Sequence, residues 1–192
     1  MSSSFLLASG SPRRKELLTL LGYQFDIIIP NIEEQQNTGE LPQDYVARLS
    51  REKAQAGLVL AKEISPHLSL PVLGADTIVV IGHRVLEKPV DYNDSKNMLQ
   101  QLSGGKHQVM TSVTVADHNR FKTTTVVTDV WFKVLTESEI QAYWQSGEPC
   151  DKAGSYGIQG IGGRFVSRIE GSYHAVMGLP LMETDLLLTD FL

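Results

Sequence analysis

Two arginines just inside the start of a helix place positive charge where the helix dipole is already positive, and the chain does this at Ser9-Gly10-Ser11-Pro12-Arg13-Arg14. The apolar run ending at Leu7-Ala8 reads as a short strand that enters a small-residue turn. Ser11 suits the N-cap and Pro12 the first helical position, so the free N–H groups of the first turn and two guanidinium forks point at one spot. An anion compensates such a cluster, and Ser9, Ser11, Arg13 and Arg14 together read as a phosphate grip.

Carboxylates supply the complementary chemistry. Asp76 falls inside the apolar run Val72-Leu73-Gly74-Ala75-Asp76-Thr77-Ile78-Val79-Val80, where an unpaired charge would cost several kcal/mol, so a partner cation or a metal is expected beside it. A capped strand end is the plain alternative. Glu33 and Glu34 follow the strand that ends at Pro30, and a carboxylate pair at a strand exit can hold a hard divalent cation. Judged alone, adjacent glutamates in a polar loop with Gln35 and Gln36 are more often solvated surface. Lys53, within a long helical pattern, and Lys88, after Glu87 and before Pro89, are each ordinary surface lysines in isolation.

Other chemistries lack their signatures. Ser103-Gly104-Gly105-Lys106 does not have the spacing of a P-loop, and Gly157 to Gly163 does not follow a strand in dinucleotide-binding form. His67, His83, His107, His118 and His174 are scattered singly, without zinc-site spacing, and no G-x-S-x-G elbow marks a serine hydrolase.

The elements that must position these residues follow from hydrophobic periodicity and punctuation. Leu17, Leu18, Leu20 and Leu21 predict a helix packed on a sheet and ended by Gly22, and Phe25 to Ile29 predicts a buried strand. The longest helix is predicted from Pro42 to about Ala61, on the spacing of Tyr45, Val46, Leu49, Lys53 and Ala56, and Pro66 to Pro71 closes it. The Asp76 strand turns at Gly82-His83 and returns through Val85 and Leu86. Asp91 to Leu102 reads as helix, Val109 to Ala116 and Thr124 to Val134 as paired strands, and Thr136 to Gln145 as a capped helix. A mobile or tightly turned glycine loop, Gly154 to Gly163, precedes a strand from Phe165 to Ile169 and a closing helix from Leu181 to Phe191.

A chain of 192 residues fits one domain, residues 1–192, with room for two lobes, and buries about 70% of its unfolded surface. With 42% hydrophobic and 20% charged residues it is globular, and a net charge of -5 argues against a nucleic-acid polymer or a membrane surface as partner. The single Cys150 excludes an intramolecular disulfide. With neither a signal-like nor a membrane-spanning run after Met1-Ser2-Ser3-Ser4, a cytoplasmic protein is expected.

Six motifs in order, S-G-S-P-R-R at Ser9 to Arg14, I-E-E at Ile32 to Glu34, R-E-K at Arg51 to Lys53, G-A-D-T at Gly74 to Thr77, E-K-P at Glu87 to Pro89 and D-K-A-G-S-Y-G-I-Q-G at Asp151 to Gly160, resemble the Maf family of nucleoside triphosphate pyrophosphatases. The resemblance runs from Leu6 to Gly178-Leu179-Pro180. It implies an α/β fold, with a mixed elongated sheet and helices forming two lobes around a nucleotide cleft, often as a homodimer. It also implies a hydrolase acting on acid anhydrides, which uses a divalent cation, Mg2+ or Mn2+, to cleave between the α and β phosphates and release a monophosphate and pyrophosphate.

On that resemblance Asp76 matches the catalytic base, Glu34 joins it in metal binding or in positioning water, and Arg14, Lys53 and Lys88 hold the triphosphate. A metal-linked Asp76 of lowered pKa would act more by orienting water than by drawing a proton from bulk solvent. The residues that separate substrate groups in the family are here Arg13, Thr77 and Gln159, a pattern that resembles the dTTP/UTP pyrophosphatase branch, with modified pyrimidine nucleotides as further substrates. The Gln159 amide can both donate to and accept from a pyrimidine edge. The alternatives implied by the same resemblance are a 7-methyl-GTP pyrophosphatase and a nucleotide-binding regulator of septum formation. Thr114 and Asp151 carry no assigned role.

Overall fold

The computed structural model describes residues 4–65 and 69–192, so the start of the chain and Pro66, His67 and Leu68 of the expected helix-closing segment lie outside the described residues. The chain order is β1 (Phe5–Ala8), α1 (Pro12–Leu20), β2 (Phe25–Ile28), α2 (Pro42–Ile64), β3 (Val72–Ile81), β4 (Arg84–Leu86), α3 (Tyr92–Leu102), β5 (Lys106–Ala116), β6 (Phe121–Phe132), α4 (Glu137–Gln145), β7 (Val166–Glu170), α5 (Tyr173–Met177) and α6 (Leu181–Phe191). The strands form one mixed seven-stranded sheet ordered β2-β1-β3-β5-β6-β7, with β4 paired to β3. β1 runs parallel to both β2 and β3, whereas β4 and β7 return antiparallel to β3 and β6. The α/β class expected from the sequence is the one found. Among the described residues no helix is long and apolar enough to cross a membrane.

Two compact units divide the chain, and the first of the four points at which the chain passes from one to the other is the Asp76–Thr77 peptide bond within β3. The first unit comprises residues 1–76, 111–126 and 178–192. Leu6 and Ala8 of β1, Ile28 of β2, Ala61 of α2 and Val72 of β3 pack together in it. Helix α2 lies directly on the sheet because the contact positions are glycine: a Cβ on Gly57 would meet Val72 Cγ1 at 2.8 Å, and one on Gly74 would meet Ser50 O at 2.4 Å and Ala54 N at 2.5 Å. Behind this contact a buried hydroxyl cluster satisfies its own polar atoms, with Ser50 Oγ 3.0 Å from Ser112 Oγ and 2.8 Å from Thr114 Oγ1. Thr114 thereby has a structural partner.

The second unit comprises residues 77–110 and 127–177. Its core gathers Val79, Leu99, Phe132, Tyr143, Tyr156 and Phe165, with edge-to-face packing of Tyr143 on Phe165 at 5.0 Å. Helix α4 carries the expected cap: Thr136 Oγ1 accepts from Glu139 N, and the Glu139 carboxylate accepts from Thr136 N at 2.9 Å.

Three local expectations change. The strand predicted from Phe25 to Ile29 ends at Ile28 and is an edge strand, so Ile27 is 44% and Ile29 67% exposed instead of buried. Leu20 is also exposed, because Arg14, Leu17 and Leu18 form the packed side of the short α1. The paired strands begin earlier than predicted, at Lys106 and Phe121, and Val134 lies beyond β6. The glycine loop is tightly turned, a chain of short 3-10 turns over Glu148–Asp151, Ala153–Ser155 and Ile161–Phe165.

Candidate active site

The turn from β1 into α1 has the predicted cap. Ser11 Oγ accepts from Arg14 N at 3.5 Å, Pro12 opens the helix, and Ser11 N donates to Ser9 Oγ at 3.2 Å. The two guanidinium groups differ in surroundings. Arg14 is buried, with Nε donating to Gly178 O at 2.9 Å and Nη1 to Ser9 Oγ at 3.3 Å, while Arg13 is half-buried. Burial lowers the Arg14 pKa; the charges of Asp76 and Glu34 oppose that shift, and Arg13 adds to it. Arg14 therefore feels both carboxylates.

Those carboxylates meet on one ammonium. Lys53, from α2, places Nζ 2.6 Å from Asp76 Oδ1 on β3 and 2.6 Å from Glu34 Oε1 in the loop after β2. Lys53 lies beside Ala54, whose backbone closes on Gly74, so the glycine two residues before Asp76 sets the approach of the lysine. Asp76 is buried, and burial raises its pKa above the ordinary carboxylate value despite the opposing charges of Lys53 and Arg14; Glu34 raises it further. Desolvation thus outweighs the paired cations at Asp76.

The loop beside Glu34 is held by a residue the motifs do not mark. Arg48 of α2 forks onto Glu40, with Nε–Oε1 2.7 Å and Nη2–Oε2 2.8 Å, and Nη2 also donates to Gln35 O at 2.9 Å. The loop next to Glu34 is thereby tied to the helix that carries Lys53. Glu33 is exposed.

The first unit thus contains Ser9, Ser11, Arg13, Arg14, Glu34, Lys53 and Asp76. Lys88, Thr77 and Gln159 belong to the second. Thr77 follows Asp76 along β3, so its side chain projects to the other face of the sheet. Lys88 is exposed two residues beyond β4, and Gln159 is exposed among the glycine turns. Asp151, unassigned from the sequence, pairs with Lys152 Nζ at 2.6 Å.

Among the described residues no three His, Cys, Asp or Glu side chains gather into a metal-binding group. The donor set present is the carboxylate pair Glu34 and Asp76, joined by a cation. Two carboxylates fit Mg2+ or Mn2+, which are commonly held by one or two protein carboxylates with phosphate oxygens and water filling the remaining positions.

An open mixed sheet with helices, which buries the Asp76 carboxylate against the Lys53 ammonium, defines an α/β protein with a buried charge cluster in its first unit. Residues 4–191 match the family described as Maf-like protein. The dTTP/UTP pyrophosphatase of Vibrio parahaemolyticus is 65% identical over 191 residues, covering 100% of this chain and 98% of that protein. That of Aliivibrio fischeri is 64% identical over 192 residues and all of both chains, and that of Shigella sonnei 56% over 189 residues, covering 98% of this chain and 93% of its own. The chain belongs to the Maf-like family.

Proposed function

We propose that this protein is a nucleoside triphosphate pyrophosphatase that hydrolyses dTTP and UTP to the monophosphate and pyrophosphate. The observation that carries it is the Lys53 ammonium bridging Asp76 and Glu34 at 2.6 Å each, in a chain similar over its whole length to proteins named for that activity. Their names favour the pyrimidine branch over 7-methyl-GTP.

In this reaction Ser9, Ser11, Arg13 and Arg14 hold phosphate oxygens, and Arg14, Lys53 and Lys88 offset the charge that gathers as the bond between the α and β phosphates breaks. Asp76 orients the attacking water and accepts its proton at a carboxylate oxygen. Lys53 fixes its orientation. Glu34 and Asp76 would hold a divalent cation, which when bound polarises phosphate oxygens and lowers the pKa of water. Arg13, Thr77 and Gln159 select the base. Both units act as one pyrophosphatase domain, in a cytoplasmic homodimer that takes free nucleotides and not polymers; the net charge of -5 and the family resemblance support this.

The test is pyrophosphate release from dTTP, UTP, CTP, GTP and 7-methyl-GTP with Mg2+ or Mn2+, in wild type and in Asp76→Asn. Turnover of dTTP and UTP that falls by about 10²- to 10⁴-fold in the variant is expected. Wild-type rates from Asp76→Asn would remove the aspartate from the chemistry.

A further inference from the structure

The carboxylate of Glu148 is used in neither the phosphate grip nor the hydrolysis, yet the glycine loop is folded around it. Glu148 Oε2 accepts from Ile161 N at 2.7 Å and Oε1 accepts from Gly162 N at 3.0 Å and from Tyr143 Oη at 2.7 Å. Tyr143 Oη in turn accepts from Gly157 N at 3.1 Å. The pair therefore holds backbone N–H groups on both sides of Gln159, two residues before it and two and three residues after it.

The glycines of this segment are what permit the fit. A Cβ on Gly160 would lie 2.3 Å from Glu148 Oε2, and one on Gly162 would lie 2.6 Å from Tyr143 Oη. The clamp is itself anchored: Tyr143 is fully buried against Phe165, and Lys152 Nζ donates to Glu148 O at 2.5 Å. Burial raises the Glu148 pKa, but the N–H groups of Gly162 and Ile161, the Tyr143 hydroxyl and the Lys152 charge outweigh it and leave the carboxylate below its ordinary value. It is ionised at neutral pH, and charge-assisted bonds to backbone N–H are among the stronger ones.

We propose that Glu148, acting with Tyr143, is a positioning residue for base selection, fixing the loop that presents Gln159 to the nucleobase. The inference rests on the proposed role of Gln159 and assigns the clamp no contact with substrate. A loop held this way fixes where the Gln159 amide meets the base, so its donor and acceptor can tell one pyrimidine edge from another only while the loop keeps its register. A loosened loop loses the discrimination before it loses the chemistry.

Glu148→Gln tests this, because the amide keeps the shape but offers one acceptor oxygen where two are used. A rise in KM for UTP and dTTP of about tenfold is expected, with kcat held within about threefold and the UTP-over-CTP ratio of kcat/KM falling about tenfold. Inhibition by inorganic tripolyphosphate, which has no base, should keep its wild-type constant. A merely structural role would not change the base ratio while sparing tripolyphosphate binding. Tyr143→Phe, which removes only the hydroxyl, carries the same expectation if Glu148→Gln fails to fold.

Gln159→Ala is measured beside them. If it loses the base preference while folded Glu148→Gln and Tyr143→Phe both keep theirs, the clamp proposal is overturned and the role of Gln159 stands. If Gln159→Ala keeps the preference, the role of Gln159 fails and the proposal fails with it.

Discussion

Gly74→Ala is the smallest change that should separate the catalytic groups without touching any of them. The added Cβ would sit 2.4 Å from Ser50 O and 2.5 Å from Ala54 N, both main-chain atoms of α2, where ordinary contact begins at 3.4 Å. Helix and strand must part by about 1 Å, and no side-chain rotamer relieves a clash with backbone. Lys53 travels with that turn of helix. Its ammonium touches Asp76 and Glu34 at 2.6 Å each, so a shift of about 1 Å takes at least one contact to about 3.6 Å, beyond hydrogen-bond range. Misplacement on that scale is expected to lower kcat/KM for UTP about 10²-fold. Overpacking should cost about 1–3 kcal/mol, visible as a thermal midpoint lower by about 2–4 °C per kcal/mol. Steady-state pyrophosphate release and a melting curve on the same preparation measure both. A folded Gly74→Ala enzyme with kcat/KM within about twofold of wild type refutes the idea that this helix–strand contact places Lys53.

Burial sets the sign of a pH effect on stability at Asp76. A raised folded pKa means that the stability tied to the protonated form is complete below the unfolded pKa and is lost as pH rises through the folded one. In chelator, the urea midpoint of Asp76→Asn should therefore gain on wild type as pH rises across that window; a flat or falling difference contradicts the shift. Thr136→Ala removes the α4 cap and should cost about 1 kcal/mol in urea unfolding at unchanged kcat/KM, whereas an unchanged midpoint would mean that water replaces the capping hydroxyl without loss.

What the sequence revealed best was local. Thr136 and Glu139 announce a capping box, Ser11-Pro12 a helix start, and a charged residue amid β-branched neighbours marks Asp76, since each signal lies within a few residues. The Arg48–Glu40 fork and the Glu148 clamp left no such trace, because their partners sit across loops of variable path and a lone Arg or Glu in a loop or helix is ordinary surface. The pKa of Asp76 is also not legible in the sequence, because it is a balance between burial and two cations, and only packing fixes how dry the carboxylate is. The exposure of Ile27 and Ile29 likewise follows from strand order, and periodicity does not tell an edge strand from a central one.

The chain passes between the two compact units at four points, the first of them the peptide bond that joins Asp76 to Thr77. The proposed base and its lysine and glutamate partners are therefore inherited with one body of the protein, and Thr77, Gln159 and the Glu148 clamp with the other. Two residues cross this division in the proposed scheme: Arg13, a proposed selecting residue in the first unit, and Lys88, a proposed phosphate-holding residue in the second. On the proposed roles, changes in residues 127–177 alter which nucleotide is recognised while the packing of α2 on β3 beside Asp76 stays untouched. Drift in diet and conservation of chemistry become separable, one peptide bond apart.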